Sequence, residues 1–586
     1  MFGGFVTFLQ GDAVHYDLED TLHQPGETGR DRRPDLVTWL FPAVAAVLGF
    51  IQAWGGRHLM NPDGVSYLDI ADAYRRGDWN AALNTYWNPL YTWVLSAGLA
   101  VIHPSPAWEF PAVHLINYVV FLVALGSFHF MLVNLIRFDR ASRRVNDGAL
   151  LIPNAVWWSV GYTAFTVFTL QWIGLEVVAP DMCVASLVFL CAGLVLRLRS
   201  GGPARIAFAL GICLGLTYLA KVATAIPVVA SFFLAGVFTT RNRLTHLLAI
   251  SVGLAVAAGP YVLALSMREG RLTLSDAGTL NYAWYVNAVP NHWLGEGGRF
   301  GTPVNPHRRI LDFPAAYAYD PSASGTYPGW FDPAHWYEGV RPRFDVAREL
   351  YAIKGNAERL FQWFSGGSEA TLFAGLLTLF LFSATSPGAW RFLAGRWFLL
   401  APAALAIAMY SLVWVESRFL GGLLTLLCMG LLSALRLKAG GESFAVLRSV
   451  VIGMVTVALG SVAGLTVIRA YENGREPSKD WRVATALHAS GIVRGDRVAV
   501  IGHVNRAGWA RLAGVKIIAE IPAESEGDFD TADEATQTKA IDTLFATGVH
   551  AVVVDHPVAT GCRSGWRSAR ATGFNICPSV KAGEKR

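Results

Sequence analysis

Charge is scarce in this sequence: Asp, Glu, Lys and Arg supply 16% of 586 residues, hydrophobic residues supply 53%, and mean hydropathy is +0.38. Soluble proteins carry roughly a quarter charged residues, so a purely soluble fold is excluded. A nucleic-acid footprint is missing too, because the net charge of +5 is mild and basic loops beside a membrane account for it. No cleavable leader is expected, since the first long apolar run starts at Leu36, behind a polar tail with Arg30, Arg32 and Arg33. The chain has no solenoid-type repeat. Cysteines are few, and four of the six (Cys183, Cys191, Cys213 and Cys428) sit in apolar runs, where a free thiol acts as a small hydrophobe.

What the sequence does have is a series of long apolar runs from Leu36 to Ala470. Each approaches the roughly 20 residues that a helix needs to cross the hydrocarbon core, and only a helix satisfies its own backbone there. The expectation is a mainly α fold: a polytopic transmembrane bundle with eleven spans at 36–55, 111–136, 150–170, 178–196, 205–219, 222–239, 244–266, 369–386, 397–414, 418–437 and 446–469. The stretch 89–103 is apolar but short and opens on Pro89, so it reads as a juxtamembrane helix.

Arginine sets the expected orientation. The short loops holding Arg137, Arg140, Arg143 and Arg144, then Arg197, Arg199 and Arg205, then Arg241 and Arg243, all become cytoplasmic if the N-terminus is cytoplasmic and 89–103 does not cross. The expected product is a multi-pass protein of the plasma (inner) membrane. It has a cytoplasmic tail at 1–35, a membrane domain at 36–470 with outer loops 56–110 and 267–368, and an extracytoplasmic, periplasmic domain at 471–586. In that last region, 497–501, 515–521 and 550–554 are strand-like and alternate with helix-like 480–489 and 535–545, the order of a small α/β unit with parallel strands. The acidic stretch 524–534 reads as a solvated loop. Cys562 and Cys577 fall on this outer side, where a disulfide persists, and spacing alone does not decide whether they pair.

The segment from Asn61 to Tyr91 is the richest in chemistry. Asp63 stands just beyond the first span, beside Gly64, placed for a carboxylate to act as a general base at the membrane surface. Ser66 opens an amphipathic helix in which Tyr67, Ile70 and Tyr74 share one face while Asp69 and Asp72 lie on another. Ser66 with Asp69 three residues on equally fits a helix-capping arrangement, which leaves Asp69 divided between structure and chemistry; Asp72 reads as a solvated carboxylate. Asp181, Lys221, Glu416 and Arg418 all fall at outer ends of spans, on the side of Asp63, where ionisable groups are costly unless paired or functional. Each has a plainer alternative: Lys221 snorkelling to the interface, Glu416 and Arg418 neutralising each other, Asp181 capping the helix after Pro180.

Taken together, residues 61–74, Ala179-Pro180-Asp181, Leu219-Ala220-Lys221 and Glu416-Ser417-Arg418-Phe419 resemble the GT-C superfamily of polyprenyl-phosphate-sugar-dependent glycosyltransferases, which includes protein O-mannosyltransferases and lipid A aminoarabinose transferases. The resemblance covers roughly residues 36–470. It implies an acidic first outer loop, lying juxtamembrane helices and a lipid-linked sugar that enters from the bilayer. Carried over by residue, it makes Asp63 the base that deprotonates the acceptor and Asp181 a second carboxylate; Asp69 joins the candidate catalytic set on its own position in the helix and not through the resemblance. Lys221 and Arg418 would meet the donor phosphate, with Tyr67 and Glu416 as further substrate-binding candidates. Some members have an acidic metal ligand before the juxtamembrane proline, where this chain has Asn88 before Pro89, so no metal ligand is assigned and dependence on a divalent metal stays open. Asp63 is followed by Gly64, where eukaryotic protein mannosyltransferases have adjacent acidic residues, so an identical acceptor is not implied.

The expected activity is inverting transfer of a sugar from a polyprenyl-phosphate donor to a lipid, glycan or protein acceptor on the outer face. A transporter or flippase of a lipid-linked envelope precursor competes with it, but transport leaves broken helices and charges near the bilayer centre, whereas these charges cluster at one face. A structural or sensory protein predicts no affinity for such sugars. The aromatics of the long outer loop, Trp284, Tyr285, Trp330 and Trp336 among them, read mostly as an interfacial belt or a loop core. His292 and His307 lack spacing partners and read as structural, not as metal ligands.

Overall fold

The computed structural model describes residues 36–143, 150–238, 242–384, 389–474 and 478–579, so the expectations for 1–35, Arg144 and Arg241 lie outside the described residues. Each of the eleven apolar runs contains a helix among the described residues. They correspond to α1 (Leu36–Gly55), α4 (Glu109–Ser142), α5 (Asn154–Val167), α6 (Asp181–Arg199), α7 (Ala204–Ala220), α8 (Val222–Phe238), α9 (Arg243–Glu269), α12 (Gly367–Ala384), α13 (Trp397–Ser411), α14 (Ser417–Ala434) and α15 (Gly441–Gly474). Between them lie α2 (Pro62–Arg76), α3 (Pro89–Ile102), α10 (Ala277–Tyr285) and α11 (Val346–Phe364). Among the described residues five helices, those that contain α4, α6, α9, α14 and α15, are each long and apolar enough to cross a membrane, and α11 with α12 forms a pair bent by 82°.

Rows of apolar side chains face outward, such as Leu115, Val119 and Val123 on α4 and Leu248, Val252 and Val256 on α9. An exposed apolar stripe on this scale is the surface a bilayer covers. Without a hydrophobic drive between helices in lipid, close packing falls to small residues. A Cβ at Gly211 would meet the Ile250 carbonyl at 2.1 Å and one at Gly253 the Phe208 carbonyl at 2.4 Å, so glycine is what lets α7 and α9 cross backbone to backbone.

The helices give the bundle two unlike ends. α6 runs from Asp181 to a basic last turn with Arg197 and Arg199. α4 ends near Asp139, which is buried and paired with Arg143 at 2.7 Å and Arg396 at 3.4 Å. The opposite end, where α2, α6 and α14 begin, carries the soluble part of the chain. That part is a seven-stranded mixed sheet in the order β1-β2-β4-β3-β5-β7-β6. β3 (Arg497–Gly502), β4 (Lys516–Pro522) and β5 (Ala551–Val554) form its buried parallel centre, flanked by β6 (Arg567–Ser568) and β7 (Asn575–Pro578). β1 (Arg308–Leu311) and β2 (Ala316–Ala318) belong to the long loop between α9 and α12, and β2 pairs antiparallel with β4.

Two expectations change here. The acidic stretch 524–534 is not a loop over most of its length: Ala523–Thr531 is helical, because Phe529 is fully buried beneath it and Gln537 donates to the Phe529 carbonyl at 3.0 Å. The question left open for Cys562 and Cys577 is closed by a disulfide, with Cα atoms 5.9 Å apart.

Candidate active site

α2 starts where Pro62 follows Asn61, a proline at the first helical position being pre-set for helix, and stops at Gly77 in the left-handed conformation (φ 72°). Helix formation therefore fixes Asp63 in the first turn. Asn61 anchors that turn: its Oδ1 accepts from the Val178 amide at 2.8 Å and its Nδ2 donates to the Val178 carbonyl at 3.3 Å. Ser66 does not cap the helix, as its position had suggested; it lies a turn inside and donates to the Trp330 carbonyl at 2.9 Å.

Three further elements bring charge to the same place. α6 begins at Asp181 directly after Pro180. α7 and α8 are separated by one extended residue, Lys221 (φ −163°), and Asn88 secures the break by accepting from the Val222 amide at 3.1 Å and donating to the Tyr218 carbonyl at 3.2 Å. α14 begins at Ser417, whose hydroxyl donates to the Trp172 carbonyl at 3.1 Å, and this puts Glu416 just before the helix and Arg418 in its first turn.

The result is a contiguous charge cluster. The Arg418 guanidinium lies 2.9 Å from Asp63 Oδ2, 2.6 Å from Glu416 Oε2 and 3.9 Å from Asp181 Oδ2. Lys221 Nζ lies 2.7 Å from Asp181 Oδ1 and 3.4 Å from the Phe419 ring centroid. Exposure grades across it, from 2% at Asp181 through 18% at Asp63 and 20% at Arg418 to 35% at Glu416, so the cluster opens to one side. Three carboxylates face two cations, and Asp181 Oδ2 has no hydrogen-bond donor. Both cations are therefore already paired, and an incoming phosphate would reach them by displacing carboxylate oxygens.

Trp330, which the sequence offered only as one loop aromatic among many, completes the cluster. Its indole N–H donates to Asp63 Oδ1 at 3.2 Å, and its carbonyl accepts from Ser66 and, at 3.1 Å, from Trp87. Tyr67 is buried edge-on against Trp87 and Tyr91, with ring centroids 5.0 and 5.2 Å away. Burial raises its phenol pKa well above the ordinary range, and the nearby Asp63 and Asp181 charges push the same way. At the rim, Tyr285 stacks on Trp414 at 4.2 Å, and Trp414 donates to Glu416 at 3.2 Å.

Asp69 is placed elsewhere. It is 8% exposed, accepts from the Thr326 amide (2.6 Å) and hydroxyl (2.9 Å), and pairs with Arg511 at 2.7 Å. Asp72 is not a solvated carboxylate, because it too pairs with Arg511 at 2.7 Å. The site residues do not fit a divalent cation. Asn88 uses both amide atoms on backbone groups, and the carboxylates converge on Lys221 and Arg418 instead of on one point. Among the described residues the one group of three ligand-type side chains with atoms within 4.8 Å of one another is Glu526, Asp555 and His556, in the soluble part. His292 and His307 lie in the loop core, His292 against Glu520 at 3.2 Å and His307 stacked on Trp336.

No family model matches the sequence, and no curated protein matches it. Among solved structures, the crystal structure of ArnT from Cupriavidus metallidurans bound to undecaprenyl phosphate superposes with a TM-score of 0.46 at 12% identity, covering 88% of this chain and 92% of that one. The same protein in the apo state gives 0.41 at 14%, with the same shares covered. The apo form of the Archaeoglobus fulgidus oligosaccharyltransferase gives 0.42 at 12%, covering 89% of this chain and 69% of that one.

Proposed function

We propose that this chain is a membrane glycosyltransferase that moves a sugar from a polyprenyl-phosphate donor to an acceptor on the outer face, with Asp63 as general base. The observation that carries the reading is the meeting of Asp63, Asp181, Lys221, Glu416 and Arg418, drawn from four separate parts of the chain, at the end of the bundle opposite the arginine-rich loops. The lipid tail stays in the bilayer while the head group reaches this charge cluster. Its phosphate replaces carboxylate oxygens at Arg418 and joins Asp181 at Lys221, which places two cations on the oxygens that gain charge as the sugar–phosphate bond breaks.

Losing Arg418 to the phosphate frees Asp63 Oδ2, while Trp330 continues to orient Oδ1. Asp63 then accepts the proton of the acceptor as that nucleophile attacks the anomeric carbon from the face opposite the phosphate. One displacement inverts the anomeric centre, and polyprenyl phosphate leaves. Asp181, the most buried carboxylate, holds Lys221 in place. The lipid, glycan or protein nature of the acceptor is set by surfaces beyond this cluster.

The test is a transfer assay on the full-length chain in lipid nanodiscs with radiolabelled polyprenyl-phosphate sugars. The wild type releases polyprenyl phosphate, and Asp63→Asn lowers turnover by roughly 10² or more, the scale expected for a lost general base. Undiminished turnover removes Asp63 from the mechanism. Movement of intact donor across the bilayer without bond cleavage would instead identify a transporter.

A further inference from the structure

Arg511, on the short soluble-domain helix Gly508–Ala513, is buried between that domain and the membrane bundle. Its guanidinium is 9% exposed and meets three carboxylates: Asp69 and Asp72 of α2, each at 2.7 Å, and Glu109 at the start of α4 at 2.6 Å. These residues lie some 400 positions from Arg511 along the chain. Asp69 is further tied to Thr326, whose carbonyl accepts from the Ile517 amide in β4, so α2 is bonded to the soluble domain by two routes.

Both helices that Arg511 grips also place the charge cluster. α2 carries Asp63 six residues before Asp69, a distance of roughly 9 Å along one rigid helix. α4 holds the two segments that lead into the site: His114 ring nitrogens lie 2.9 Å from the Leu175 carbonyl and 2.8 Å from the Leu59 carbonyl, and Asn117 Nδ2 donates to Val177 at 3.4 Å. Leu59 precedes Asp63, and Leu175 and Val177 precede Asp181. One guanidinium therefore fixes the rotation of α2 relative to α4, and through them the spacing of the Asp63 and Asp181 carboxylates.

From this linkage we infer that Arg511 is a positioning residue for the reaction and that the soluble domain is a working part of the site. The inference rests on the glycosyltransferase reading, in which Asp63 and Asp181 serve one donor. A merely structural Arg511 changes how much protein folds; a positioning Arg511 changes the turnover of protein that has folded. Guanidinium alone spans three carboxylates in a planar fork, so lysine replaces its charge but not its geometry.

The experiment uses the full-length chain in nanodiscs and compares Arg511→Lys and Thr326→Val with the wild type, because Arg511→Met takes the shared cation from the buried Asp69 and the partly exposed Asp72 and Glu109 and is prone to misfold. Hydrogen exchange is read by mass spectrometry on peptides covering 60–70 and 174–182. Turnover is read with the same radiolabelled polyprenyl-phosphate sugars, per folded molecule. Expected for Arg511→Lys are faster exchange in both peptides and a turnover lowered roughly 10²-fold with KM for the donor within twofold, since small misplacements of catalytic groups act on this scale. Thr326→Val, which removes one bond to Asp69, gives a smaller change in the same direction. Unchanged exchange in both variants overturns the linkage, and altered exchange with unchanged turnover overturns the positioning role. Absence of transfer by the wild type marks failure of the glycosyltransferase reading, and the exchange data then decide the linkage by themselves.

Discussion

At the scale of single residues, the site is defined by a shortage of positive charge. Arg418 serves Asp63, Glu416 and, more distantly, Asp181, while Lys221 serves Asp181 alone. Isolated ions at this depth would be costly to bury, and pairing is what permits them. Asp63 is held from both sides, by Arg418 on one oxygen and Trp330 on the other. A hydrogen bond to a charged group contributes about 1.5–3 kcal/mol. Trp330→Phe keeps an aromatic ring against Trp87 and removes the donor, so turnover in the transfer assay is expected to fall about tenfold while the melting temperature falls only by the few degrees that one lost hydrogen bond accounts for. Asp63, Asp181, Lys221, Glu416 and Arg418 were legible in the sequence because each is an ionisable group at the end of an apolar run. Trp330 was not, because nothing in the loop separates one tryptophan from its neighbours until the loop has folded back on α2. Asp69 was legible only as a question, since its partner Arg511 lies 442 residues away.

At the scale of elements, the helices were readable because each occupies a long apolar run, although among the described residues only five of them are each long and apolar enough to cross a membrane, and the three central strands because they are short, buried and rich in β-branched residues. What remained hidden was non-local pairing. β1 and β2 are four and three residues long, and their place in the sheet comes from β4, some 200 positions on. The same loop contains His307, which is buried, stacked on Trp336 and repelled by His292; burial chiefly lowers its pKa from 6.5 to about 4. Between those values the unfolded chain binds a proton that the folded chain does not. Stability is therefore complete above about pH 6.5, declines as pH falls toward 4 by on the order of 3 kcal/mol, and levels off below. Melting curves across this range should show that slope in the wild type and a flatter profile in His307→Phe; identical profiles would mean that the loop core does not bury a neutral imidazole.

At the scale of the whole molecule, composition announced a membrane protein and the distribution of arginine distinguished its two ends. The boundary drawn at residue 471 does not describe how the soluble part is built, because its sheet takes two strands from the loop before α12 and its Arg511 reaches α2 and α4. The segment from Tyr319 to Phe331 runs from that sheet to the site, bonded at one end to Ile517 and Ile518 and at the other to Asp63, Ser66 and Asn84. The bundle supplies the charges and the soluble part locks the elements that carry them. The central claim is that Lys221 and Arg418 receive the phosphate of a lipid-linked sugar, and it is tested most directly by native mass spectrometry of polyprenyl phosphate bound to the full-length chain. The account predicts saturable binding by the wild type, weakened at least tenfold in Lys221→Met and in Arg418→Met, the loss expected for one charge-assisted phosphate contact. Equal binding by the wild type and both variants would contradict it.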